Sequence, residues 1–265
     1  MKIAISGKGG VGKTTIAGIM ARTLAERGFK VLAIDADPNA NLGLTLGIPP
    51  EVTQKIVPVS ENIKLIKEKT GVGPESYGAI FRLSFRVDDI VDNFTIRSPD
   101  GVNLLIMGTV KSAGEGCTCP ANALIRALLR HILVKRDEFV IVDLEAGIEH
   151  LGRGTAEYVD CMLIVVEPNL KSIETAKKIY NLSRELKIKN IFVVGNKIFD
   201  KNDESIIKET YGDTGTLLGL IPYDEKIKKA DAEGSWSIDF MKNSNGVTKV
   251  QELMSKIIEK MSMTL

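Results

Sequence analysis

The 265-residue chain predicts a three-layer α/β fold on a mostly parallel sheet. Three observations predict it. Short runs rich in Val, Ile and Leu alternate with longer stretches of helical period. The short runs lack strict polar alternation, as strands covered by helices on both faces do. A glycine-rich turn joins the first run to the first helical stretch, and a parallel sheet gathers its ligand loops at that carboxyl edge.

Residues 2–5 and 30–34 read as strands, and 14–27 between them as a helix ended by Gly28. A right-handed crossover makes the two strands parallel. Further strands are expected at 103–107, 139–142, 162–166, 191–194 and 217–220, and helices at 121–134, 172–186, 204–209 and 247–261. The stretch from about 49 to 100 breaks this rhythm. It reads as an insertion, with short helices around 77–91, in one domain spanning 1–265. In the last helix, Val247, Val250, Leu253, Met254, Ile257, Ile258 and Met261 share a face, while charges of both signs occupy the other. That pattern favours packing on the sheet over a cationic membrane-surface helix.

Lys and Arg total 35 against 34 Asp and Glu, so bulk electrostatics give no drive toward nucleic acid. The opening MKIAISG enters the glycine-rich turn without a cationic leader and a long apolar segment. The expectation is a cytoplasmic protein with neither nucleic acid nor membrane as a partner. Three cysteines are too few for a disulfide framework, which directs attention to thiolate chemistry.

Gly7-Lys8-Gly9-Gly10-Val11-Gly12-Lys13-Thr14 fits the pattern GxxxxGK[ST] between a strand and a helix. Its glycines let backbone amides curl around phosphate oxygens where a side chain would obstruct the turn. Lys13 can reach the β- and γ-phosphates, and the Thr14 hydroxyl can ligate Mg²⁺. The competing account is a merely glycine-rich turn. Asp35, Asp37 and Asp143 follow two of the strands, at the same carboxyl edge. Asp143 is assigned to the Mg²⁺ shell through water, Asp37 to the hydrolytic water, and Asp35 to a supporting place near Mg²⁺. For each, the alternative is a carboxylate capping loop or helix amides.

Lys8, with Thr15 closing the run, gives the deviant loop KGGxGKTT. On these residues the chain resembles the dimeric nucleotide switches that include MinD/ParA ATPases, nitrogenase iron proteins and metallocentre-assembly ATPases. The resemblance implies a P-loop NTPase fold of the MinD/iron-protein type, and ATP as nucleotide. It implies that Lys8 reaches the partner's nucleotide in a homodimer, that residues 37–41 form switch I, and that switch II begins at Asp143. It further implies that Asn196 and Lys197 occupy the base-recognition position, and that the loop through Pro222 and Tyr223 closes over the base. Gly9, Gly10, Val11 and Gly12 would line the phosphates.

Cys117 and Cys119 flank Thr118 just ahead of a helix. A helix amino terminus favours the thiolate form. Two soft ligands are half of a four-sulfur site, and a two-fold dimer supplies the other two. The expected ion is Ni²⁺ or Zn²⁺. Inert loop cysteines or a redox pair are the alternatives, and His150 is an additional candidate ligand or nucleotide sensor. Cys161 reads as core. The cysteine pair, together with Gly147-Ile148-Glu149-His150 and Val166-Glu167-Pro168-Asn169, is similar to the CooC-type accessory ATPases. That likeness implies nickel insertion into apo carbon monoxide dehydrogenase or acetyl-CoA synthase. A MinD/ParA-like localisation or partition switch without metal delivery is the rival reading.

Overall fold

A computed structural model describes the chain except residues 74–81, 83–84, 109–118, 136–137, 146–155, 157, 238–241 and 263–265, and the side chains of Cys119 and Lys135. The strands are β1 Lys2–Gly7, β2 Val31–Ala36, β3 Thr95–Arg97, β4 Asn103–Ile106, β5 Phe139–Leu144, β6 Cys161–Val166, β7 Asn190–Ile198 and β8 Leu217–Pro222. They form one sheet in the order β3-β4-β2-β5-β1-β6-β7-β8. Every pairing is parallel except that of β3, which runs antiparallel to β4. The helices are α1 Lys13–Glu26, α2 Leu42–Thr45, α3 Pro50–Thr53, α4 Ile63–Thr70, α5 Asp88–Phe94, α6 Cys119–Lys135, α7 Leu170–Glu185, α8 Lys201–Tyr211, α9 Glu225–Glu233 and α10 Asn245–Ser262.

Strand side chains alternate between two cores, as a period of two requires. Ile3, Ile5, Val31 and Ala33 face one core with Ile16, Met20 and Leu24 of α1 and Val250, Met254 and Ile257 of α10. Ala4, Leu32 and Ile34 face the other with Leu124, Leu128 and Ile132 of α6, Ile173 and Ile179 of α7, and Ile207 of α8. The apolar stripe of α10 is therefore covered by the sheet, as its mixed-charge outer face predicted. Among the described residues no helix is long and apolar enough to cross a membrane.

The seven expected strands and five expected helices are present, and the sheet adds β3 as an antiparallel edge. The strands run further than their apolar runs suggest. Asp35 and Asp143 sit inside β2 and β5, not after them, because the ladder continues through Asp35↔Asp143 to Ala36↔Leu144. Asn196 and Lys197 likewise lie within β7. In the 49–100 stretch, α4 is set by Asn62, whose side chain accepts from the Leu65 amide at 3.0 Å, and by Gly71 at φ +84°. Leu65, Ile66, Ile90 and Val91 carry this stretch into the core under α6. Of the helices expected around 77–91, α5 covers the end, and 74–81 and 83–84 lie outside the described residues.

Candidate nucleotide site

The glycine-rich turn leaves β1 and enters α1 at the carboxyl edge of the sheet. Two of its glycines are required by close approach. A Cβ on Gly7 would come within 2.4 Å of the Val165 carbonyl oxygen. One on Gly12, whose φ is +94°, would stand 2.5 Å from Asn196 Nδ2. The crest is held from β7, where Asn196 Nδ2 donates to the Val11 carbonyl at 2.7 Å and Lys197 Nζ to the Gly10 carbonyl at 2.6 Å. The Lys8 carbonyl accepts from the Val11 amide at 3.3 Å and from Lys13 Nζ at 3.4 Å. The Lys13 ammonium thus curls back over its own loop, and only 7% of the residue is exposed.

A cavity of about 690 Å³ opens above this turn. Gly9, Gly10, Gly12, Lys13, Thr14 and Thr15 form its floor, Asp37, Asn39 and Asn41 one wall, and Asn196, Lys197, Pro222 and Tyr223 another. Its volume and mixture of apolar and convergent polar groups suit a small anionic ligand. Val11, Asp35 and Asp143 lie buried outside the lining, and Lys8 is half-buried beside it. Cys117 and His150 lie outside the described residues; Cys119 begins α6. Among the described residues no group of three or more His, Cys, Asp or Glu is placed to hold a metal. Cys161 is fully buried at the start of β6, and burial pushes its thiol pKa well up.

Asp35 and Asp143 are register partners on adjacent strands, yet their surroundings differ. Asp35 accepts from the Asp37 amide at 3.1 Å and the Leu42 amide at 2.9 Å, so it braces the 35–42 turn and the entry to α2. Burial raises its pKa to about 6, opposed by those amides. Asp143 is 1% exposed, and neither carboxylate oxygen has a hydrogen-bond partner among the described residues. Burial first and the Asp35 charge second push its pKa up to about 7; the Thr14 hydroxyl and the Lys13 ammonium pull the other way. A buried acid with the Thr14 hydroxyl and the Lys13 ammonium near it, but no hydrogen bond of normal geometry among the described residues, is chemically fitted to a divalent cation and its waters. Asp37, on the cavity wall, accepts from the Asn39 amide at 2.8 Å.

Sequence reasoning missed the wall supplied by α9. Asp224, Ile227, Lys228 and Asp231 line the cavity, and Asp231 accepts from the Thr15 hydroxyl at 3.4 Å. The helix is charge-rich and so gives little apolar period. Its ends were nonetheless readable: Asp224 caps it by accepting from the Lys226 amide, and Gly234 follows it at φ +63°. Ile16, Ile19 and Val250 complete the apolar part, and Tyr223 stacks on Phe199 with ring centroids 4.0 Å apart.

Residues 2–238 match the CbiA family, described as the CobQ/CobB/MinD/ParA nucleotide binding domain. The chain is 46% identical over 264 residues to the carbon monoxide dehydrogenase accessory protein CooC of Rhodospirillum rubrum, covering 100% of this chain and 98% of that one. Among solved structures it is similar to the Pyrococcus furiosus cell division ATPase MinD, at a TM-score of 0.69 and 22% identity, covering 97% of this chain and 98% of that one. It is also similar to a Borrelia burgdorferi putative plasmid partition protein bound to AMPPNP, at a TM-score of 0.70 and 17% identity, with 98% of each chain covered. The fold is the three-layer α/β P-loop NTPase fold of the MinD/ParA type, and the chain belongs to the CobQ/CobB/MinD/ParA nucleotide-binding family.

Proposed function

We propose that this chain is a Mg²⁺-dependent ATPase that works as a homodimer, and that the dimer delivers nickel to apo carbon monoxide dehydrogenase or acetyl-CoA synthase. The observation that carries the ATPase part is the cavity over the phosphate loop, backed by Asp143 with both oxygens unpartnered among the described residues. Loop amides and Lys13 bind the phosphates. Thr14 and Asp143 fit Mg²⁺, which when bound would neutralise charge on the phosphate oxygens. Asp37 orients the water that attacks the γ-phosphorus, and the bond to the β,γ-bridging oxygen breaks to release ADP and phosphate.

The base end favours adenine. Asn196 Nδ2 spends one of its two N–H donors on the Val11 carbonyl, and its Oδ1 can accept from the exocyclic amine of adenine. Lys8 is the residue proposed to cross to the second nucleotide.

Nickel delivery is supported by the 46% identity, over 264 residues, to a carbon monoxide dehydrogenase accessory protein and by the Cys117/Cys119 pair. The helix α6 begins at Cys119, and a helix amino terminus favours the thiolate form. Nickel is cargo here, bound by four thiolates shared between protomers and released when hydrolysis rearranges the dimer. The second reading is an ATP-dependent localisation or partition switch. Membership of the family whose description includes MinD and ParA favours it.

Anaerobic gel filtration with coupled metal analysis separates the two. One Ni²⁺ per wild-type dimer, lost in the Cys117→Ser/Cys119→Ser double variant, supports delivery. A wild-type dimer that forms with ATP and carries no nickel supports the switch, and a double variant that keeps its nickel overturns the four-thiolate site.

A further inference from the structure

We propose that Glu167 is a positioning residue for the phosphate loop, acting through Lys197; this rests on the reading of that loop as an ATP site. Glu167 follows β6, and its Oε1 lies 2.7 Å from Lys197 Nζ. The same ammonium donates to the Gly10 carbonyl at 2.6 Å, so one lysine bridges a carboxylate and the crest of the loop.

Both ends of the bridge are fixed. Asn169 Nδ2 donates to Glu167 Oε2 at 3.1 Å, and the Glu167 amide donates to Ser172 Oγ at 2.9 Å. Asn169 in turn caps α7 by accepting from the Ser172 amide at 3.0 Å. The carboxylate therefore sits on the rigid entry to a helix of 16 residues. Lys197 has φ +56°, a left-handed backbone that a residue with a Cβ adopts only where its surroundings hold it.

Without Glu167, this ammonium would be a mobile donor on a long stem at the edge of an anion-binding cavity. It would hold the Gly10 carbonyl only part of the time, and the crest peptide would turn more freely. Glu167 removes that freedom. It holds the charge on the Gly10 carbonyl while Asn196 holds the next carbonyl, Val11, so two successive peptide groups at the crest are oriented before the nucleotide arrives. A loop fixed in its bound form loses less freedom on binding, which strengthens affinity without altering the chemical step.

The test is Mg-ATP affinity and turnover of full-length wild type, Glu167→Gln, Lys197→Met and the double variant. At low salt, E167Q is expected to weaken the Kd about fivefold, the size that a half-exposed ion pair of good geometry supplies. The gap should fall below twofold in 1 M NaCl, and kcat at saturating ATP should stay within twofold. Adding E167Q to K197M should change the Kd by less than twofold, because the carboxylate acts through the lysine. Glu167→Asp, which keeps the charge on a shorter stem, should fall between wild type and E167Q. An unchanged Kd, or a loss that persists at high salt and adds to that of K197M, overturns the proposal. A wild type that binds no Mg-ATP overturns the nucleotide reading itself, and is told apart because only then is the parent silent.

Discussion

The carboxyl ends of β2 and β5 carry the same side chain at paired positions, and the two do different things. Asp35 is saturated by the amides of Asp37 and Leu42, so its charge shapes the chain that follows it. Asp143 has no such partner among the described residues, and its charge faces burial and a neighbouring carboxylate. Register places both acids at the edge; what the backbone does afterwards decides which becomes a brace and which remains open to a cation.

The largest effect that can break this comparison is on turnover. Asp143→Asn should lower Mg²⁺-dependent ATP hydrolysis by about a hundredfold or more, read in a phosphate-release assay, because the carboxylate that fits Mg²⁺ and its waters is lost. Asp35→Asn comes next and shows in stability. The amide can accept from one backbone N–H through its oxygen but turns a donor toward the other, at a cost of roughly 1–3 kcal/mol in urea unfolding.

The third effect is the pH slope of the nucleotide-free protein. Both acids have folded pKa values raised above 3.8, to about 6 and about 7. Between pH 4 and 7 the folded state therefore holds more protons than the unfolded one, and this contribution to stability is lost as pH rises through 6 and 7. Each group adds at most about 1.4 kcal/mol per pH unit. Bound Mg²⁺ needs the ionised form, so Mg-nucleotide affinity should rise across the same window. A urea series at pH 5, 6, 7 and 8 measures the slope.

The glycine-rich turn between β1 and α1 was legible in the sequence, because its glycines, Lys13 and Thr14 lie within one short run of chain. The strand order was less so, and the division of labour between Asp35 and Asp143 was not, since it depends on the amide of Leu42, seven residues beyond Asp35. Arg22 is a stronger case. In the sequence it is one more polar residue of α1. In the fold it is 2% exposed, paired with Asp100 and donating to the carbonyls of Thr45 at 3.1 Å and Trp236 at 2.9 Å. Those partners join α1 to the end of α2, to the turn before β4 and to the chain after α9, and no local pattern announces them. The α9 wall was hidden for the opposite reason, as its charged surface masks a short helix whose caps alone identify it.

The most direct measurement is urea unfolding of Asp35→Asn beside Asp143→Asn at pH 8, without nucleotide or Mg²⁺. Asp35→Asn is predicted to lose roughly 1–3 kcal/mol. Asp143→Asn should lose none and gain about 1 kcal/mol, because it removes a desolvated charge that has an ionised neighbour. Equal losses in the two variants, or a larger loss in Asp143→Asn, would contradict the account.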